Sequence, residues 1–150
     1  MKRRLLIATL WCASLFVLFG AGVASAADEK PFAELKVVLQ ISDSDPFKQT
    51  LVLNVARNLI KHYGPDRVDL EVVAFGPGLR LFFADNANKG RIQGLVDDGA
   101  VRFSACGNTM KKMAKQIGET PKLNKNAKVV PAGVVQIVEL VGKGFTLVKP

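Results

Sequence analysis

Cysteine, histidine and tryptophan are scarce in this 150-residue chain, which has two cysteines, one histidine and one tryptophan. With His62 as the only histidine and so few thiols, no His/Cys cluster of metal-binding spacing can form, and no metal is expected. There is no C-x-x-C pair, so thiol–disulfide exchange lacks its partner sulfur. No glycine-rich loop ends in Gly-Lys-Ser or Gly-Lys-Thr, which removes the phosphate-loop reading. Internal repeats are also absent, and the one long apolar run is confined to the first residues.

That run has a specific context. Lys2, Arg3 and Arg4 precede the apolar stretch Leu5 to Phe19, and the small residues Ala24, Ser25 and Ala26 follow it. A basic start, an apolar core and small residues at A-x-A positions make up a secretory signal peptide, with cleavage expected after Ala26. The stretch is almost long enough for an uncleaved membrane anchor, but Gly20 and Gly22 break the helix ahead of the small-residue site and favour cleavage. Cys12 does not occupy a lipobox position and leaves with the signal. The mature chain is then periplasmic or secreted, without membrane contact, and its net charge falls from +8 to +5 because the signal carries three basic residues and no acidic ones. The remaining 124 residues suit one domain that needs no disulfide to build its core. Cys106 is left without an intramolecular partner, and an unpaired thiol in an oxidising compartment must be either buried or used.

Residues 27–34 are polar, contain Pro31 and form a loose lead-in, and the domain runs from 35 to 150. Leu35 to Ile41 is rich in β-branched residues and too short for a helix, so it is a strand. Ser42-Asp43-Ser44-Asp45-Pro46 then supplies capping side chains and a first-turn proline. Phe47, Leu51, Val55, Leu59 and Tyr63 recur at i+4 steps in a helix that Gly64-Pro65 ends. Val68 to Phe75 is a second strand, and Gly76-Pro77-Gly78 turns the chain before the apolar Leu79 to Phe83. A short helix over Asn88 to Asp97, a third strand Val101 to Ala105 and a helix capped by Asn108 or Thr109 follow. Met110, Met113, Ala114 and Ile117 form the expected buried face of that helix. Residues 119–128 are expected to be a loop, and Val129-Val130 at most a short strand. Val134, Ile137, Val138 and Val141 match helical spacing, although so many β-branched residues also suit a strand; helix is the favoured reading. Phe145 to Val148 closes the chain as a strand. Strands alternating with helices imply an α/β fold with a mainly parallel sheet covered on both faces.

Ligands of such sheets bind outside the carboxyl ends of the strands, where loops meet helix N-termini. Three loops qualify here: Ser42-Asp43-Ser44, Gly76-Pro77-Gly78 and Cys106-Gly107-Asn108-Thr109. A cysteine just ahead of a helix is pushed towards the thiolate by the helix dipole and unpaired N–H groups. Gly107 removes a side chain that would hinder approach to the sulfur, and Lys111 and Lys112 lie close in sequence. Position alone leaves two readings of Cys106 open: a reactive thiolate, or a small buried hydrophobe at the end of a core strand.

The segment Val101-Arg102-Phe103-Ser104-Ala105-Cys106-Gly107-Asn108-Thr109-Met110 resembles the cysteine motif of the DsrE/DsrF-like family in its small single-domain form. Glu71 to Phe82 and Val130 to Pro150 are similar to that family as well. The resemblance implies a flavodoxin-like three-layer α/β/α sandwich, homo- or hetero-oligomers, and a cysteine that carries sulfane sulfur as a persulfide between donor and acceptor proteins. Only Cys106 matches the sulfur-bearing position. Sulfur-relay members of the family are cytoplasmic whereas this chain carries an export signal, and without a second mature cysteine any relay is intermolecular. No cofactor beyond a persulfide at Cys106 is expected. The ligand pocket implied by the three loops comprises Ser42, Asp43, Gly76, Gly78, Gly107, Asn108 and Thr109.

Other features have plainer explanations. Lys111, Lys112, Lys115, Lys122, Lys125 and Lys128 read as a solvated basic face, with steering of an anionic sulfur compound or an acidic partner as the alternative. Nucleic acid is not an expected partner, because the phenylalanines fall in core patterns rather than in a stacking platform among the lysines. His62 lies at the end of its helix remote from the proposed site. Asp97-Asp98 reads as a helix end, and Asp43 and Asp45 as capping residues, with Asp43 or Ser42 also placed to line the cysteine pocket.

Overall fold

A computed structural model describes residues 30, 32–99 and 101–150; the expected signal peptide, its cleavage site and Cys12 lie outside the described residues. Five strands form one parallel sheet: β1 (Leu35–Ile41), β2 (Val68–Ala74), β3 (Val101–Cys106), β4 (Ala127–Val130) and β5 (Thr146–Val148), in the order β4-β3-β2-β1-β5. The helices are α1 (Pro46–Tyr63), α2 (Lys89–Asp97), α3 (Gly107–Ile117) and α4 (Gly133–Gly142), with a 3₁₀ helix over Gly76–Phe82. The chain steps from β1 to β4 in one direction, then returns across the whole sheet to β5. Because crossovers between parallel strands are right-handed, this reversal places α1, α2 and α3 on one face and α4 alone on the other. The result is a flavodoxin-like three-layer sandwich.

The two faces differ chemically. On the first, Val37, Leu39, Ile41, Leu70, Val72, Phe103 and Ala105 pack against α1, α2 and the 3₁₀ helix in an apolar core. On the second, Val38 and Val73 meet Ile137, Leu140 and Phe145, and charged residues lie beside them. Asp69 and Glu71 are buried there and both pair with Arg102, through Nη1 to Asp69 Oδ1 and through Nε to Glu71 Oε2 at 3.1 Å. Burial alone would lower the Arg102 pKa, and the two carboxylates more than offset it, raising it overall.

Several sequence expectations change. The cap of α3 is neither Asn108 nor Thr109 but Cys106, still extended at φ −70°, ψ 113°, so β3 passes into the helix without a loop. Gly107 makes this tight join feasible, since a Cβ there would stand 3.1 Å from the Val130 carbonyl oxygen. On α3 Ile117 is exposed, while Met110, Met113 and Ala114 are half-buried. The stretch expected to be a loop up to 128 gives way to β4 at Ala127, paired to Phe103. Of the stripe expected on α4 only Ile137 is buried. The buried face is Gly133, Ile137 and Leu140, one residue or about 100° round from the valines, because that rotation brings Gln136 onto Glu71. The described residues of the lead-in are tied to the domain by the Lys30 N–H to Asp69 Oδ2 at 3.4 Å, the Lys30 ammonium to the Pro65 carbonyl, the Glu34 N–H to the Arg67 carbonyl at 3.0 Å and the Glu34–Arg67 ion pair.

Gly78 is a packing position. A Cβ there would lie 2.5 Å from the Ile41 carbonyl oxygen and 2.7 Å from its carbon, both backbone atoms that cannot step aside. Gly78→Ala is therefore expected to cost about 1–3 kcal/mol in urea unfolding. Gly90→Ala, at a position with open space around it, leaves stability unchanged or slightly raised.

Candidate functional site

Where strand order reverses, the loops after two neighbouring strands diverge to opposite faces and open a crevice. Here those strands are β3, which hands over to α3 on one face, and β4, which hands over to α4 on the other. Cys106 ends β3 at this crevice, paired with Val130 of β4, and Gly133 opens α4 just beyond. A Cβ on Gly133 would stand 3.2 Å from the Cys106 Cβ and 3.1 Å from the Phe75 Cβ, so glycine lets the start of α4 pack against the cysteine without pushing these side chains aside.

The sulfur consequently faces two helix starts. It stands at the N-cap of α3, where a Ser or Asp oxygen would normally accept from the first turn. Sulfur is larger, and no side-chain capping bond of ordinary geometry forms. The N–H groups of Asn108 and Thr109 nevertheless act on it, together with the N–H of Gly133 and the Thr109 hydroxyl. Burial pushes the thiol pKa up, and these four donors, the Thr109 hydroxyl foremost, more than reverse it, leaving the thiol below its ordinary value. No charged side chain among the described residues contributes, so Lys111 and Lys112 do not assist. The thiolate is held by dipoles alone.

Thr109 links this centre to the glycine loop. The Gly76 N–H donates to Thr109 Oγ1 at 2.9 Å, which occupies a lone pair and leaves the hydroxyl proton for the sulfur. Gly76, Gly107 and Thr109 thus belong to the site, and the Asn108 N–H is shared with the Pro131 carbonyl at 3.2 Å. Gly107 is buried under the β4–α4 turn and does not open a path to the sulfur. Ser42 borders the glycine loop through its carbonyl, 3.7 Å from where a Gly76 Cβ would stand, while Gly78 serves packing against β1. Asp43 turns away: it accepts from the Asp45 N–H at 3.0 Å and pairs with Lys48 at 2.5 Å, and the Lys48 ammonium holds its carboxyl below the usual range. Asp45 caps α1 through the Phe47 N–H at 2.8 Å.

Sequence reasoning missed Gly133, Phe75 and Pro131. The signal was present, since Pro131-Ala132-Gly133 is a fourth loop at the same rim, after a strand that looked too short to count. Access was also overestimated: Cys106 is 5% exposed.

The chain matches no protein-family model and no curated protein. Among solved structures it is similar to MTH1491, a protein of unknown function from Methanobacterium thermoautotrophicum, with a TM-score of 0.69 and 29% identity over 77% of this chain and 99% of that one. The likeness spans essentially the whole of that chain, in keeping with a fold that stands as one unit.

Ultraviolet titration of the thiolate is expected to give a midpoint below that of an unperturbed thiol. Thr109→Val, which removes the leading donor, raises it. Because the folded-state pKa lies below the unfolded one, the thiolate's contribution to stability grows as pH rises through the folded midpoint and is complete above about 8.5. The stability gap between wild type and Cys106→Ser, followed by denaturant unfolding, therefore widens with pH across that window and narrows below it.

Proposed function

We propose that this chain is an exported sulfur carrier that holds sulfane sulfur on Cys106 as a persulfide. The observation that carries the reading is the convergence of two helix starts and the Thr109 hydroxyl on one thiol, which lowers its pKa without any charged partner. The resemblance of the cysteine segment to the DsrE/DsrF-like family supports it, as does the expected signal peptide for a periplasmic or secreted location.

The chemistry balances without an added oxidant. The Cys106 thiolate attacks the terminal sulfur of a donor R–S–SH, the donor's S–S bond breaks as the new one forms, and R–S⁻ leaves while the proton stays on the transferred sulfur. An acceptor thiolate then attacks that outer sulfur, and Cys106 departs as the thiolate. A low pKa favours this second step, because the better-stabilised thiolate leaves faster. At 5% exposure the residue admits only a slim donor terminus or a partner that moves the rim.

The same burial favours a second reading, a ligand-binding or assembly module in which the cysteine is structural. Intact mass after incubation with a sulfane donor separates them. The carrier gains the mass of sulfur in wild type and none in Cys106→Ser; no gain, or a gain that survives the substitution, rejects it.

Oligomerisation, which the resemblance implies, is supported by a different surface. Val134, Val135, Val138 and Val141 of α4 are exposed, and so is Leu147 of β5, on the sheet face that α4 covers. Contiguous apolar surface of this kind marks interaction sites. Sedimentation is expected to show an oligomer in the wild type and a smaller species for Val138→Asp, without loss of fold by circular dichroism; a monomeric wild type rejects the assignment.

A further inference from the structure

The start of α4 packs against Cys106, so closely that a Cβ on Gly133 would stand 3.2 Å from the Cys106 Cβ, and the surroundings of the thiol depend on where this helix begins. Apolar contacts of Ile137 and Leu140 press this helix to the sheet but tolerate sliding, since they are non-directional. A directional anchor lies in the helix's first turn. Gln136 Nε2 donates to Glu71 Oε1 at 2.8 Å, and that same oxygen accepts from Ser104 Oγ at 2.6 Å. Glu71 is buried and is held on its other oxygen by Arg102 Nε at 3.1 Å, so it cannot follow a displaced helix. Ser104 sits two residues before Cys106 on the same face of β3, which ties the anchor and the thiol to one strand.

From this geometry we propose that Gln136, through Glu71, is a positioning residue for Cys106: it locks the start of α4 in place against the thiol. Gln136 lies in the first turn, three residues from Gly133, so a shift of its anchor is passed directly to the helix start that packs against Cys106. The charged groups on the surrounding elements are Lys111, Lys112 and Lys115 on α3, Lys128 on β4, Glu139 and Lys143 on and after α4, Arg80 on the 3₁₀ helix, and Asp69, Glu71 and Arg102 further down the sheet face. None of them enters the thiol's shift, so the effect of Gln136 runs through backbone placement.

The inference deepens the carrier reading by naming a regulator of the same thiol, but it is tested by ionisation and not by sulfur loading, so either can fail alone. Thiolate titration of Gln136→Met, equal in length and without the donor, is expected to move the Cys106 midpoint upward and cut the thiolate fraction below the midpoint about threefold or more. Amide exchange at Gly133 is expected to quicken in the same variant. Val138→Ser, on the exposed side of the same helix, leaves the midpoint where it is. Should Gln136→Met not fold, Gln136→Asn, polar but one carbon too short to reach Glu71, carries the same expectation. An unchanged midpoint in a folded Gln136 variant, or an equal shift in Val138→Ser, overturns the proposal.

Discussion

The starts of two helices on opposite faces of the sheet meet at one cysteine, and the rest of the site is arranged to keep them there. Such a meeting is available only where strand order reverses, because elsewhere adjacent strands send their helices to the same side. A thiolate at that place is stabilised by fixed dipoles, without a neighbouring cation. Dipoles of the folded backbone do not exchange with solvent ions, so the stabilisation is less sensitive to salt than an exposed lysine would make it. The cost is closure: Gly133 and Phe75, which complete the environment, also cover it.

The second face of the sheet is less orthodox than the first. Two buried carboxylates and one arginine replace apolar packing beside α4, and a hydrophobic substitute would commonly hold a helix as well or better. What charge adds is direction. Hydrogen bonds to Glu71 specify where α4 sits along the sheet, which apolar contacts do not, and the helix start in turn sets one of the sulfur's donors. The exposed valines on the outer side of α4 follow from the same rotation that brings Gln136 inward.

Strand and helix positions were readable almost to the residue where periodicity was strong. Leu35 to Ile41 and the helix ending at Tyr63 needed only β-branched density and i+4 spacing. Reading failed where a local rule competed with a tertiary contact. Asn108 and Thr109 are better caps than cysteine by propensity, yet Gly107 fits under the β4–α4 turn and lets the helix begin earlier. On α4 the stripe Val134, Ile137, Val138 and Val141 matched helical spacing, yet of these only Ile137 is buried, and the helix is turned so that Leu140 packs inward and Gln136 bonds to the buried Glu71.

From the residues alone came the alternation of strands and helices, the parallel sheet, the rim at which ligands gather and the cysteine that ends the third strand. Those are local properties, carried by side-chain spacing and by glycine and proline at turns. Tertiary structure decided the partners of that cysteine. Gly133 lies 27 positions further along the chain, and it packs against the cysteine only because the final crossover runs back over the far face of the sheet. Burial of the thiol was decided there too, since the atoms that cover it come from segments with no sequence pattern in common.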